Sequence, residues 1–68
     1  MKNTIKVERA KMDLTQEALA DKIGVSRQTI NSIEKGKYAP STLLALKMAE
    51  IFKVGVIELF KLEEGDWE

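Results

Sequence analysis

Arg27, Gln28, Asn31 and Ser32 fall on one side of a segment with helical patterning, and none of the four is an acid. Side chains one and four positions apart share an outward sector of a helix. Their chemistry is that of recognition. A guanidinium can fork onto two acceptors, and a carboxamide can donate and accept together. Guanine and adenine edges are read this way in the major groove of duplex DNA, which is wide enough to admit a helix. Polar outer faces are by default simply solvated, so the reading depends on what places these four side chains.

The neighbouring elements do the placing. In "DKIGVSRQTI", residues 21–30, a face begun by Leu19 and Ala20 ends at Ile23, Gly24 interrupts, and after Val25 a Ser opens a second pattern carrying Ile30 and Ile33. Two helices joined so tightly cross steeply, and Gly suits the left-handed backbone of such a turn. Ala20 keeps the crossing narrow, Val25 plugs the turn and Ile30 packs beneath. Periodicity and start signals predict helices over about 4–12, 16–23, 26–35, 42–53 and 56–60. Asn3 or Thr4, Thr15, Ser26 and Ser41 stand as caps, Asp13 suits a left-handed position, and Gly36 and Pro40 punctuate a loop. The tail, 61–68, is charged but carries Leu62 and Trp67, and either frays or docks as a short strand. With no sustained strand-period alternation, the expected architecture is all-α: one five-helix domain over 1–68.

Composition narrows the function. A chain of 68 residues, 44% of them apolar, can build one small core, and chains of this size often gain margin by self-association. The absence of Cys and His removes disulfides, thiolate zinc sites, thiol nucleophiles and imidazole bases. No metal, cofactor, small-molecule ligand or enzymatic activity is therefore expected. No apolar run approaches the ~20 residues of a membrane span, and the first ten residues lack a signal-peptide core, so no membrane association and a cytoplasmic location are expected. Formal charge is zero but uneven. Through Tyr38 there are eight basic and five acidic residues; from Ala39 onward, three and six. That makes a basic front bearing the four polar residues, with the acidic tail expected on the far side to repel non-specific DNA.

The run "LTQEALADKIGVSRQTINSIEKGKYAPS", residues 14–41, resembles the helix-turn-helix of the lambda-repressor-like, Xre-type regulators. Their pattern T/S-Q-x-x-L-A, then G-V-S, then I-x-x-x-E-x-G is present without a gap, and the likeness extends from about Ile5 to Phe60. The resemblance implies a compact lambda-repressor-like fold whose second and third helices form the helix-turn-helix. It also implies a partner, double-stranded DNA. Gln16 would grip a backbone phosphate together with the amides that open the second helix, an anion site by its geometry. Arg27 and Gln28 become the first candidates for base edges, with Asn31 and Ser32 one turn later. Ser26, Thr29, Lys35, Lys37 and Tyr38 become candidates for phosphates. In relatives an Arg late in the first helix pairs with a Glu near the end of the recognition helix; here these are Arg9 and Glu34, an ion pair expected to brace the fold and present Arg9 near a phosphate.

The chain departs from the pattern in two respects. Gly55 replaces the usual Ser, Thr or Pro before the last helix, and Val7, Leu43, Ile51 and Ile57 are apolar where polar residues are usual. Ile51, Val56, Ile57 and Phe60 converge on the last two helices, where relatives form two-fold dimers, and are the expected homodimer seam. The function implied is a sequence-specific transcriptional regulator, a repressor on a palindromic operator. The alternative is an antitoxin or bridging module that uses the same apolar end for another protein.

Overall fold

The computed structural model describes residues 1–68. Five helices, α1 (Ile5–Lys11), α2 (Gln16–Ile23), α3 (Arg27–Glu34), α4 (Thr42–Phe52) and α5 (Val56–Leu59), enclose one apolar centre. Each helix contributes to it: Ile5, Leu19, Ile30, Ile33, Met48 and Leu59 are wholly enclosed.

Local chemistry accounts for where the helices begin. Thr15, Ser26 and Ser41 are extended, and their hydroxyls accept from the amides of Ala18, Thr29 and Leu44 at 3.0, 3.1 and 3.2 Å. Each satisfies a donor that the first helical turn leaves without a partner. At α1 the cap position is Thr4, whose hydroxyl does not cap, and Asn3 acts instead, its Oδ1 accepting from the Ile5 amide at 3.2 Å.

Where the helices end, a left-handed residue turns the chain. Asp13 has φ 54°, after which the Leu14 amide returns to the Arg9 carbonyl. Gly24 has φ 77°, and the Val25 amide reaches back to the Ala20 carbonyl at 3.0 Å, closing α2 as a Schellman turn does. A Cβ at Gly24 would touch nothing within 4 Å, so the only penalty of a side chain there is backbone strain. Gly24→Ala is expected to lower stability by about 1 kcal/mol while leaving the helical spectrum of the folded chain unchanged. A chemical denaturation midpoint equal to that of the parent would contradict the need for glycine.

At the last helical boundary the left-handed residue is Lys53, φ 57°, which no sequence signal marked, while Gly55 stands at the extended cap position of α5 as expected. There the Glu58 carboxylate, not a hydroxyl, accepts from the Gly55 amide at 3.2 Å.

The tail corrects two expectations. Phe60–Lys61 forms a strand, β2, antiparallel to β1 (Lys2–Asn3), with Lys2 opposite Lys61 and Asn3 opposite Phe60. Strand alternation turns Phe60 inward, 7% exposed, and Lys61 outward. Phe60 therefore belongs to the core and is removed from the expected dimer seam. Beyond it, Glu64–Trp67 makes a short 3-10 turn, and Glu63 lines a surface hollow together with Lys35 and Gly36. The acidic tail thus lies beside the loop that follows α3, not on the far side.

Asp66 closes that turn by accepting from the Glu63 amide at 2.7 Å and pairs with the Met1 amine at 3.1 Å. The amide first, then the amine, hold the Asp66 carboxyl below its usual 3.8, and the contacts with Glu63 and Asp66 hold the amine above 8.0. A lowered carboxyl stabilises the folded turn above pH 3.8 and ceases to do so as pH falls through its lowered value. In a pH titration by NMR, the amide signals of residues 63–68 are expected to move towards random-coil positions in that acid window while helix signals persist. Tail signals that stay put across it would contradict this.

Candidate nucleic-acid interface

The outer face of α3 is set by what its inner face buries. Ile30 and Ile33 are enclosed beneath it, which turns Arg27 and Gln28 to solvent, where both are exposed. The hydrogen bonds made by side chains of this segment involve Ser26, Thr29, Asn31 and Glu34. Arg27 and Gln28 are left with every donor and acceptor free. Beside them lies an open groove of about 350 Å³ lined by Ser26, Gln28, Thr29, Ser32, Lys37 and Tyr38. Six of the residues expected from the sequence to touch DNA are thus brought around one depression, walled by hydroxyls, an amide, an ammonium and a phenol. Ser26 and Thr29 also bond each other, Oγ to Oγ1 at 3.0 Å, so the cap of α3 is held in place at the groove's edge. Lys35 is exposed at the end of α3, outside this groove. Gly36, at φ 75°, folds the chain there so that the Lys37 amide returns to the Ser32 carbonyl at 3.0 Å.

Arg9 and Glu34 meet as a two-pronged pair. Nε and Nη2 of Arg9 donate to Oε2 and Oε1 of Glu34 at 2.7 and 3.1 Å, and Nη1 donates to the Leu14 carbonyl at 2.9 Å. The side chains are 14% and 8% exposed. This arrangement ties α1, the turn at Asp13 and the end of α3 together. The Arg9 side chain keeps 14% of its surface exposed, and three of its five N–H groups are used in these contacts.

Gln16, expected to grip a phosphate, makes contacts within the protein that sequence reasoning missed. Its Nε2 donates to Glu34 Oε1 at 3.2 Å and to Asn31 Oδ1 at 3.3 Å. The Gln16 side-chain nitrogen is thus turned towards α3 in the free protein. The backbone amides at the start of α2 keep the anion-binding geometry of a helix N-terminus. Nothing local in the sequence announces the link, because its partners stand 15 and 18 residues away. A second unforeseen contact is Asn3, whose Nδ2 donates to the Ile33 carbonyl at 2.9 Å and tethers β1 to the last turn of α3.

Elsewhere, Ile57 is 84% exposed on α5, while Ile51 and Val56 are half-buried and rest against the core. No group of three His, Cys, Asp or Glu side chains is placed to hold a metal ion, and no helix is long and apolar enough to cross a membrane.

Comparison with known proteins agrees with this geometry. Residues 5–59 match the family HTH_3, described as Helix-turn-helix. An uncharacterized HTH-type transcriptional regulator of Methanocaldococcus jannaschii is 54% identical over 66 residues, 97% of this chain and 100% of the relative. YgzD of Bacillus subtilis, with the same description, is 48% identical over 94% of this chain and 97% of its own length. Among solved structures, the restriction-modification controller protein C.AhdI of Aeromonas hydrophila superposes with a TM-score of 0.73 at 30% identity, covering 82% of this chain and 85% of that one. With α2 and α3 meeting at Gly24 and the polar side of α3 laid open, the chain belongs to the Xre/Cro-type helix-turn-helix family of DNA-binding transcriptional regulators.

Proposed function

We propose that this regulator is a cytoplasmic repressor that binds a palindromic operator sequence-specifically as a homodimer. The observation that carries the reading is the freedom of Arg27 and Gln28 on the first outward turn of α3. From there they reach base edges in the major groove, with Ser32 one turn on, while Ser26, Thr29, Lys35, Lys37 and Tyr38 contact the flanking phosphates. Repression follows from occupying a promoter. The homodimer is supported by Ile57, an apolar side chain left 84% exposed on α5, which a second copy would cover.

Selection of random duplexes by the purified chain tests the whole reading. The expected product is an inverted repeat whose half-site centres lie about one helical turn, roughly 34–36 Å, apart. Sedimentation should give twice the chain mass. Enrichment of no sequence would refute specific recognition, and a single unrepeated motif bound by a monomer would refute the two-fold mode.

A further inference from the structure

A carboxylate can only accept hydrogen bonds, and a carboxamide has a donating and an accepting end. This asymmetry makes the contacts between α1, α2 and α3 directional. Glu34 is oriented by the Arg9 guanidinium through two bonds. Its Oε1 faces the Gln16 side chain at 3.2 Å, so the end of Gln16 turned towards it must be the NH2 group. The same NH2 lies 3.3 Å from the Asn31 side chain, so the atom of Asn31 turned inward must be its carbonyl oxygen. Asn31 Nδ2 then occupies the other position. It has no partner within the protein, yet no enclosed side-chain nitrogen or oxygen in the molecule lacks one. Nδ2 therefore reaches solvent, on a half-buried residue one turn beyond Arg27.

We propose that Gln16 is a positioning residue for specificity: it fixes the polarity of the Asn31 carboxamide so that Asn31 presents N–H donors, not a donor–acceptor pair, to DNA. An unconstrained Asn reads adenine with both ends of its amide at once, donating to N7 and accepting from the N6 amino group. With its carbonyl held inward, Asn31 is matched instead to base edges that only accept, guanine O6 and N7 or thymine O4. Arg9, which touches no base, thereby influences which base is chosen, through Glu34, Gln16 and Asn31 in turn. The inference rests on the DNA-reading role of α3 proposed above.

The test compares selections from random duplexes by the parent chain, Asn31→Ala and Gln16→Met, the last keeping the length of the side chain without its donor. Asn31→Ala is expected to flatten the preference at one base pair of each half-site. Gln16→Met should alter that same base pair alone, moving the ratio of adenine to guanine or thymine on the order of tenfold in favour of adenine. A Gln16→Met protein that binds every sequence more weakly with the same preferences would overturn the proposal, as would an Asn31→Ala protein with an unchanged preference. The Asn31 side-chain NH2 signals in the free parent protein give a second readout that needs neither DNA nor a variant. A single side-chain geometry in nuclear Overhauser spectra, with the NH2 turned away from Gln16, is expected, and rotamer averaging would overturn the proposal. If the parent itself enriches no sequence, the DNA-reading role fails first. If the parent enriches a clear site that Gln16→Met leaves intact, only the positioning role fails.

Discussion

Replacing Arg9 with Ala is expected to lower folding stability by about 3–5 kcal/mol, the range for removing one partner of a buried ion pair. The chain is small, and a total stability of roughly 3–10 kcal/mol follows from typical values per residue, so the variant should be largely unfolded at 37 °C. The magnitude comes from what is left behind. Glu34, 8% exposed, would keep only the Gln16 amide as a hydrogen-bond donor from another side chain, and the Leu14 carbonyl at the α1–α2 turn would lose its guanidinium partner. A pair on the open surface would behave differently, with losses below about 1 kcal/mol. Urea unfolding followed by circular dichroism separates the two cases. A companion variant, Arg9→Met with Glu34→Leu, removes both charges together and should recover most of the loss, because no isolated charge then remains. If Arg9→Ala shifts the midpoint by less than about 1 kcal/mol, the brace is a surface contact after all.

What could be read from the sequence and what could not divides along chain distance. Gly24, Thr15, Ser26 and Ser41 act within a few residues of themselves, so their turns and caps are legible from residue type and spacing. The exposure of Arg27 and Gln28 follows as directly, because Ile30 and Ile33 fix which side of α3 faces in. Arg9 and Glu34, 25 residues apart, could be paired only through the resemblance to a family. No such pattern exists for Gln16 with Asn31, and the polarity of that contact is set by a third residue, Glu34. The two-residue strands β1 and β2 are too short to show an alternation. Read with a helical period Phe60 joins the outer seam, and read with a strand period it turns inward, so a single element assignment reversed its role. Lys53 was hidden for another reason: a lysine gives no turn signal, although its backbone here is left-handed.

Arg27→Ala combined with Gln28→Ala should leave the fold intact and weaken operator binding by more than the roughly 1–3 kcal/mol of a single base contact, the two losses at neighbouring residues not simply adding. The fold survives because both side chains are exposed and make no bond within the protein, so their removal opens no cavity and strands no partner. Binding to unrelated duplexes should fall far less. On the proposed reading that residual affinity would come from phosphate contacts, for which the candidates Lys35, Lys37, Tyr38 and the amides at the start of α2 are untouched by the double substitution. The measurement is a titration of the selected operator and of a scrambled duplex at one fixed salt concentration. The expected result is a convergence of the two affinities in the double variant, with the unfolding midpoint unchanged. A parallel loss on both duplexes would move Arg27 and Gln28 from base reading to phosphate anchoring. An unaltered ratio of the two affinities would place recognition elsewhere on the molecule, since these are the groups at the start of α3 that the fold leaves wholly free.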